Sequence, residues 1–207
     1  MSQLGKYLLD RDIKQFDITE GSSSADSLKW LIELIHTHTT QPKNIMEIGL
    51  NLGHSADAIL QNTNAHLTSF DLGEFPYREI VAGYFEEYYA TRCDIIWGDS
   101  TVIVPSYADE TQNKFDVIFI DGGHDYEIAK ADLENCRLLS DENTLIILDD
   151  VVRAGYHDGN PVFAQPWNVG PTQIWDEMVA AGEIEEIPDS YKLFDNGQRG
   201  LIAGRYK

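Results

Sequence analysis

Positive charge is scarce in this chain. Its 207 residues hold 15 Lys and Arg against 35 Asp and Glu, a formal charge of −20 at pH 7. Binding a nucleic-acid polyanion relies on clustered Lys and Arg and on counterion release, so the balance argues against such a partner. An anionic membrane surface is disfavoured for the same reason. The surplus carboxylate reads as a solubility device; the sharper alternatives are a salty environment or a cationic substrate. Cysteine is nearly absent: Cys93 and Cys136 are the only two. They are too few for a disulfide framework, and each falls in a core-forming stretch where a buried free thiol is the default. No apolar run approaches the roughly 18 residues that span a bilayer. The polar start Ser2-Gln3-Leu4-Gly5-Lys6 leads into no long apolar stretch, so no secretory signal is expected. There is no internal repeat. The expectation is one cytoplasmic domain, because single cores grow to about 250 residues before splitting, and 43% of the residues are apolar.

Texture changes at Pro42. Residues 1–43 read as an N-terminal helical extension, in which Ser22-Ser23-Ser24 form a loop feeding a helix cap and Leu28, Leu31, Ile32 and Ile35 recur at helical spacing. His36 and His38 close that helix as ordinary C-terminal capping residues. Two positions apart they face different ways, which argues against a metal role. Residues 44–207 read as the core. Runs at 45–48, 67–70, 95–97, 115–120 and 145–148 are near-continuously apolar, as strands covered on both faces require. Helical patterns at 55–61, 76–92, 102–109 and 127–139 lie between them, the second with Ile80, Val81, Tyr84, Phe85 and Tyr88 on one stripe. A helix over 171–181 starts at Pro171. Short strands follow at 184–187, 191–194 and 201–206, with Asp195-Asn196-Gly197 as the last turn. Strand–helix alternation predicts an α/β fold: a doubly wound, Rossmann-like, seven-stranded sheet with a C-terminal antiparallel hairpin.

Polar residues gather at the predicted carboxyl ends of the strands, the edge where open α/β sheets bind ligands. Glu47-Ile48-Gly49-Leu50-Asn51-Leu52-Gly53-His54-Ser55 joins the first strand to its helix. Gly49 permits a tight turn and close ligand approach, and Gly53 allows close entry into the helix. The loop lacks the G-x-G-x-x-G of a pyrophosphate site, which argues against a nicotinamide oxidoreductase; by itself it is equally a plain strand-to-helix turn. Asp71 ends the second strand, where an acid commonly accepts from ribose hydroxyls. Gly98-Asp99-Ser100 ends the third and is placed to meet a base edge, although a lone acid there is usually a helix cap.

The fourth strand runs into Ile120-Asp121-Gly122-Gly123-His124-Asp125-Tyr126 and the fifth into Leu148-Asp149-Asp150-Val151. Neighbouring parallel strands should bring Asp121, Asp149 and Asp150 together. Like charges so close disfavour ionisation, and a divalent cation resolves the conflict. All-oxygen ligation suits Mg²⁺ foremost, with Mn²⁺ or Ca²⁺ as alternatives, and argues against zinc. The competing reading is that Asp149 caps the segment after its strand and Asp121 opens a Gly-Gly turn. The aromatic-rich stretch 153–170, with Tyr156, His157, Asp158, Phe163 and Trp167, reads as an irregular lid or substrate loop.

Together, Glu-x-Gly-x-x-x-Gly-x-Ser, Asp71, Gly-Asp-Ser, I-D-G-x-H-x-Y and the Asp-Asp pair resemble the class I S-adenosylmethionine-dependent methyltransferases. They are similar to the small metal-dependent O-methyltransferases of catechol and macrolide-sugar type. The resemblance runs from Asn44 to Tyr206, and Asn51 replaces the commonest glycine. It implies that Glu47, Gly49, Asn51 and Ser55 border the methionine part of S-adenosylmethionine, that Asp71 binds the ribose, that Asp99 and Ser100 lie near adenine, and that Gly53 and Asp121 also bind the cofactor. It further implies that the three acids hold a cation which holds the acceptor hydroxyl of a small molecule. His124 stands where catechol-type relatives carry a lysine base; an imidazole can deprotonate an alcohol there or only orient the loop. Two alternatives stay open: a metal-independent O- or N-methyltransferase with His124 as base, and a non-catalytic cofactor-binding protein. A homodimer is a base-rate expectation.

Overall fold

The computed structural model describes residues 2–14, 24–153, 155–157, 160–162 and 164–207, with backbone alone for Tyr156, His157, Asn160 and Pro161. In chain order the elements are α1 (Gln3–Leu9), α2 (Ala25–His38), β1 (Asn44–Ile48), α3 (His54–Asn62), β2 (His66–Asp71), α4 (Arg78–Tyr89), β3 (Cys93–Trp97), α5 (Ser100–Glu110), β4 (Val117–Ile120), α6 (Tyr126–Cys136) and β5 (Leu145–Leu148). After them come β6 (Gly155–His157), β7 (Asn160–Val162), α7 (Pro166–Ala180), β8 (Ile184–Glu186), β9 (Lys192–Phe194) and β10 (Arg199–Tyr206).

The main sheet has the order β3-β2-β1-β4-β5-β10-β8, with β9 paired to the first half of β10, so eight strands take part where seven were expected. β1 to β5 are parallel, while β10 runs antiparallel to β5, β8 and β9. Alternation along each strand feeds two cores. Ile45, Val117, Phe119, Leu145 and Ile147 face one side with Leu4, Leu8, Leu31 and Ile35 of the N-terminal helices. Met46, Ile48, Ile118, Ile120, Ile146 and Leu148 face the other, against Leu133, Ile174 and Trp175. β3 departs from the expected burial: as the edge strand it is only half-buried, Cys93 included, whereas Cys136 is buried, and both thiols are free.

Ser24 caps α2 by accepting from Ser27 N–H, as the serine run suggests; Ser22 and Ser23 lie outside the described residues. His36 and His38 do fall in the last turn of that helix. On α4, Val81, Tyr84 and Phe85 are buried, but Tyr88 of the expected stripe is 43% exposed and touches the rings of Tyr7 and Tyr84 at the stripe's margin. The largest correction concerns α7, which starts at Pro166, so that Pro171 sits inside it. Pro166 takes the first position, where a missing N–H costs nothing. Gln165 and Asn168 form a reciprocal capping box. Thr172 Oγ donates to Asn168 O at 2.6 Å, occupying a carbonyl beside the one that Pro171 leaves without its donor. The stretch 153–170 is therefore partly regular: β6 and β7 form a hairpin and Trp167 belongs to α7, while Asp158 and Phe163 lie outside the described residues. No helix among the described residues is long and apolar enough to cross a membrane.

Candidate active site

Strands are added outward on one side of β1 up to β3 and on the other side from β4 onward, and the crevice such a switch point opens at the strand carboxyl ends is where α/β sheets bind ligands. A cleft of about 370 Å³ lies there, walled by Gly49, Asn51, Asp71, Asp99, Ser100, Asp121, His124 and Arg199 among others.

The loop after β1 is held close to the sheet. Gly49 adopts φ +96°, and a Cβ there would lie 1.9 Å from the Asp121 carbonyl oxygen. Gly49 N–H donates to Phe70 O at 2.8 Å and Asp121 N–H to Ile48 O at 2.8 Å, which stitches the ends of β1, β2 and β4 together. Asn51 N–H donates to Asp71 Oδ2 at 2.9 Å and Gly73 N–H to Oδ1 at 2.7 Å, so both carboxylate oxygens are fixed while each keeps a lone pair for a ligand. Asp99 caps α5, accepting from Thr101 N–H at 2.9 Å and Thr101 Oγ at 2.7 Å; cap and cleft wall prove compatible.

Three expected cofactor contacts stand outside the cleft wall. Glu47 is fully buried under the loop, accepting from Ser55 Oγ at 2.5 Å and Ser69 Oγ at 2.6 Å. Burial pushes its carboxyl up to about 7, against the two hydroxyl donors. Ser55 is consumed by that bond, and Gly53 caps α3 against the Phe85 ring. These residues shape the loop from beneath.

The metal reading also changes in detail. Ligand atoms of Asp121, His124 and Asp150 lie within 4.8 Å of one another. Asp149 is outside this group: it is buried and its Oδ1 accepts from Asp150 N–H at 2.8 Å. Asp150 is 1% exposed and adopts φ 57°, a left-handed conformation uncommon for a non-glycine residue. Neither of its oxygens has an aligned hydrogen-bond donor. His124 Nε2 lies 3.0 Å from Oδ2 and the guanidinium Nε of Arg199 3.8 Å from Oδ1. Burial and the neighbouring acids push Asp121 well above the usual carboxylate range, and burial and Asp150 raise Asp149 to about 7. A buried carboxyl group without an aligned donor beside two further ligand atoms fits a divalent cation. With an imidazole in the set, the all-oxygen argument against zinc no longer holds.

Arg199 carried no signal in the sequence, because nothing about the Gln198-Arg199-Gly200 strand start shows that β10 pairs beside β5 and its Asp149-Asp150 end. Asp132 was missed too. It is buried in α6 without an aligned donor, with Oδ2 2.7 Å from where a Cβ on Gly122 would sit, and burial raises it to about 6.

The sheet order and the cleft at its switch point are those of a class I methyltransferase. The methyltransferase-domain family profile matches residues 46–151, about half of the chain, and the chain belongs to that family. No curated protein matches it. Among solved structures it is similar to an O-methyltransferase from Bacillus cereus in complex with S-adenosylhomocysteine, at 22% identity and TM-score 0.75 over 99% of this chain and 90% of that one. It is also similar to the O-methyltransferase TomG of Streptomyces achromogenes, involved in tomaymycin synthesis and bound to S-adenosylmethionine, at 19% identity and TM-score 0.73 over 100% and 91%. A Podospora anserina methyltransferase bound to S-adenosylhomocysteine matches at 22% identity and TM-score 0.67 over 100% and 89%.

Proposed function

We propose that the protein is an S-adenosylmethionine-dependent O-methyltransferase acting on a small hydroxylated molecule, with a divalent cation held by Asp121, His124 and Asp150. One observation carries the reading: a single cleft joins the Gly49–Asp71–Asp99 wall to a carboxylate–imidazole group whose buried member, Asp150, lacks an aligned donor. The cofactors and acceptor atom named for the Bacillus and Streptomyces proteins support it. S-adenosylmethionine supplies an electrophilic methyl group on a sulfonium. Asp71, already oriented by two backbone amides, would accept from the ribose hydroxyls, and Asp99 and Ser100 would border the adenine. Gly49 and Asn51 would flank the methionine portion. A bound cation supplies Lewis acidity that lowers the pKa of an acceptor hydroxyl. Asp121 and Asp150 would fix its place, and the cleft walls would align acceptor and methyl group, where orientation supplies much of the rate.

The His124–Asp150 contact of 3.0 Å favours one second reading, in which the carboxylate orients the imidazole and His124 alone takes the proton. Formation of S-adenosylhomocysteine from S-adenosylmethionine across a panel of catechols, sugars and polyketide-like alcohols separates the two. The cation reading predicts that chelation stops turnover and that Mg²⁺ or Mn²⁺ restores it. Turnover indifferent to chelation and lost in His124→Gln would establish the second reading instead.

A further inference from the structure

We propose that Arg199 is a positioning residue whose fixed positive charge sets how strongly the Asp121–His124–Asp150 group attracts a cation, and which charge of cation it prefers. This rests on the cation reading above. The guanidinium is placed by backbone as much as by side chain. A Cβ on Gly200 would lie 2.2 Å from the Val151 carbonyl oxygen, and Val151 N–H donates to Gly200 O at 3.0 Å, so the start of β10 lies tight against the segment after β5. Asn168 Nδ2 donates to Gln198 O at 3.2 Å and ties the same strand start to α7. Arg199, with 18% of its side chain exposed, is thereby held in the cleft wall with Nε 3.8 Å from Asp150 Oδ1.

At that distance the contact conveys charge without a hydrogen bond. The two oxygens of Asp150 are thus divided, Oδ2 toward His124 and Oδ1 toward Arg199, and its backbone is fixed independently through Asp149. Asp149 and Asp121 also feel the guanidinium, which opposes the upward push on both, and Asp195 faces it from the turn before β10. The guanidinium thus places one fixed positive charge 3.8 Å from Asp150, beside the place a cation would take. A neutral side chain at 199 would remove its repulsion of a bound cation, which favours any cation and a trivalent one most, because Coulomb interaction grows with ionic charge.

The test is calorimetric titration of chelator-treated protein with Mn²⁺ and separately with Tb³⁺, using wild type, Arg199→Gln and Arg199→Lys. The charge role predicts that Arg199→Gln binds Mn²⁺ at least about tenfold more tightly, that its gain for Tb³⁺ is larger still, and that Arg199→Lys stays near wild type. A merely structural arginine would produce losses for both ions, and equal affinities in all three proteins would overturn the inference while leaving the cation reading in place. Absence of a Mn²⁺ isotherm in folded wild type would end both. Arg199→Met, also neutral, carries the comparison should the amide variant not fold.

Discussion

Glu47 lies where water does not reach, and its partners are hydroxyls that stabilise the carboxylate less than burial opposes it. Its carboxyl titrates near 7 when folded and near the ordinary 4.5 when unfolded, so between those values the native state keeps a proton that the unfolded chain has released. Its contribution to stability is therefore complete below about pH 4.5 and declines by about 3 kcal/mol as the pH rises through 7. Thermal melts of Glu47→Gln should show a shallower fall in Tm between pH 5 and 8 than wild type; parallel curves would contradict the raised carboxyl. Gly49→Ala should destabilise by more than about 1 kcal/mol, from the positive φ and the approach of Asp121 O, and should weaken cofactor-analogue binding; a melt and a titration unchanged from wild type would refute the crowding. Residues such as Asp71, Asp99, Asp121 and His124 were legible because each follows an apolar run at a predictable edge. Which of two adjacent aspartates joins Asp121 and His124 was not, because a left-handed φ at a non-glycine residue, as at Asp150, has no sequence signature.

Elements were legible where period and cap agreed. The apolar runs became β1, β2, β4 and β5 within two residues, the largest shift being that β4 begins at Val117. Two residues of the expected 115–120 run, Phe115 and Asp116, instead serve its entry: Phe115 packs in the core, and Asp116 Oδ2 accepts from the amides of Lys43 and Asn44 at 2.7 and 2.9 Å. The expected start at Pro171 gave way to Pro166, where the capping box of Gln165 and Asn168 begins α7. Asn168 is wholly buried and holds both that cap and the strand before Arg199. Asn168→Ala should lower stability by about 1 to 2 kcal/mol. It should also loosen Arg199, so a denaturation curve superimposable on wild type would remove the link between α7 and the cleft.

Over the whole molecule, a formal charge of −20 makes self-repulsion a standing cost of compactness. Salt screens it within a Debye length of about 10 Å at 0.1 M, so Tm should climb as monovalent salt rises from about 0.01 to 0.15 M; a flat response would mean that the surplus acids are locally compensated. The doubly wound plan could be read from alternation of strand and helix, and the antiparallel pairing of β9 onto β10 from the Asp195-Asn196-Gly197 turn between them. The switch point between β1 and β4 is the global feature on which the function depends, for it alone gathers the ends of β1 to β4 around one cleft. Calorimetric titration of wild type and Asp71→Ala with S-adenosylhomocysteine tests this most directly. Saturable binding at micromolar concentration, lost or much weakened in a folded Asp71→Ala, is the predicted result. No binding by folded wild type, or equal binding by both proteins, would contradict the assignment of that cleft to the cofactor.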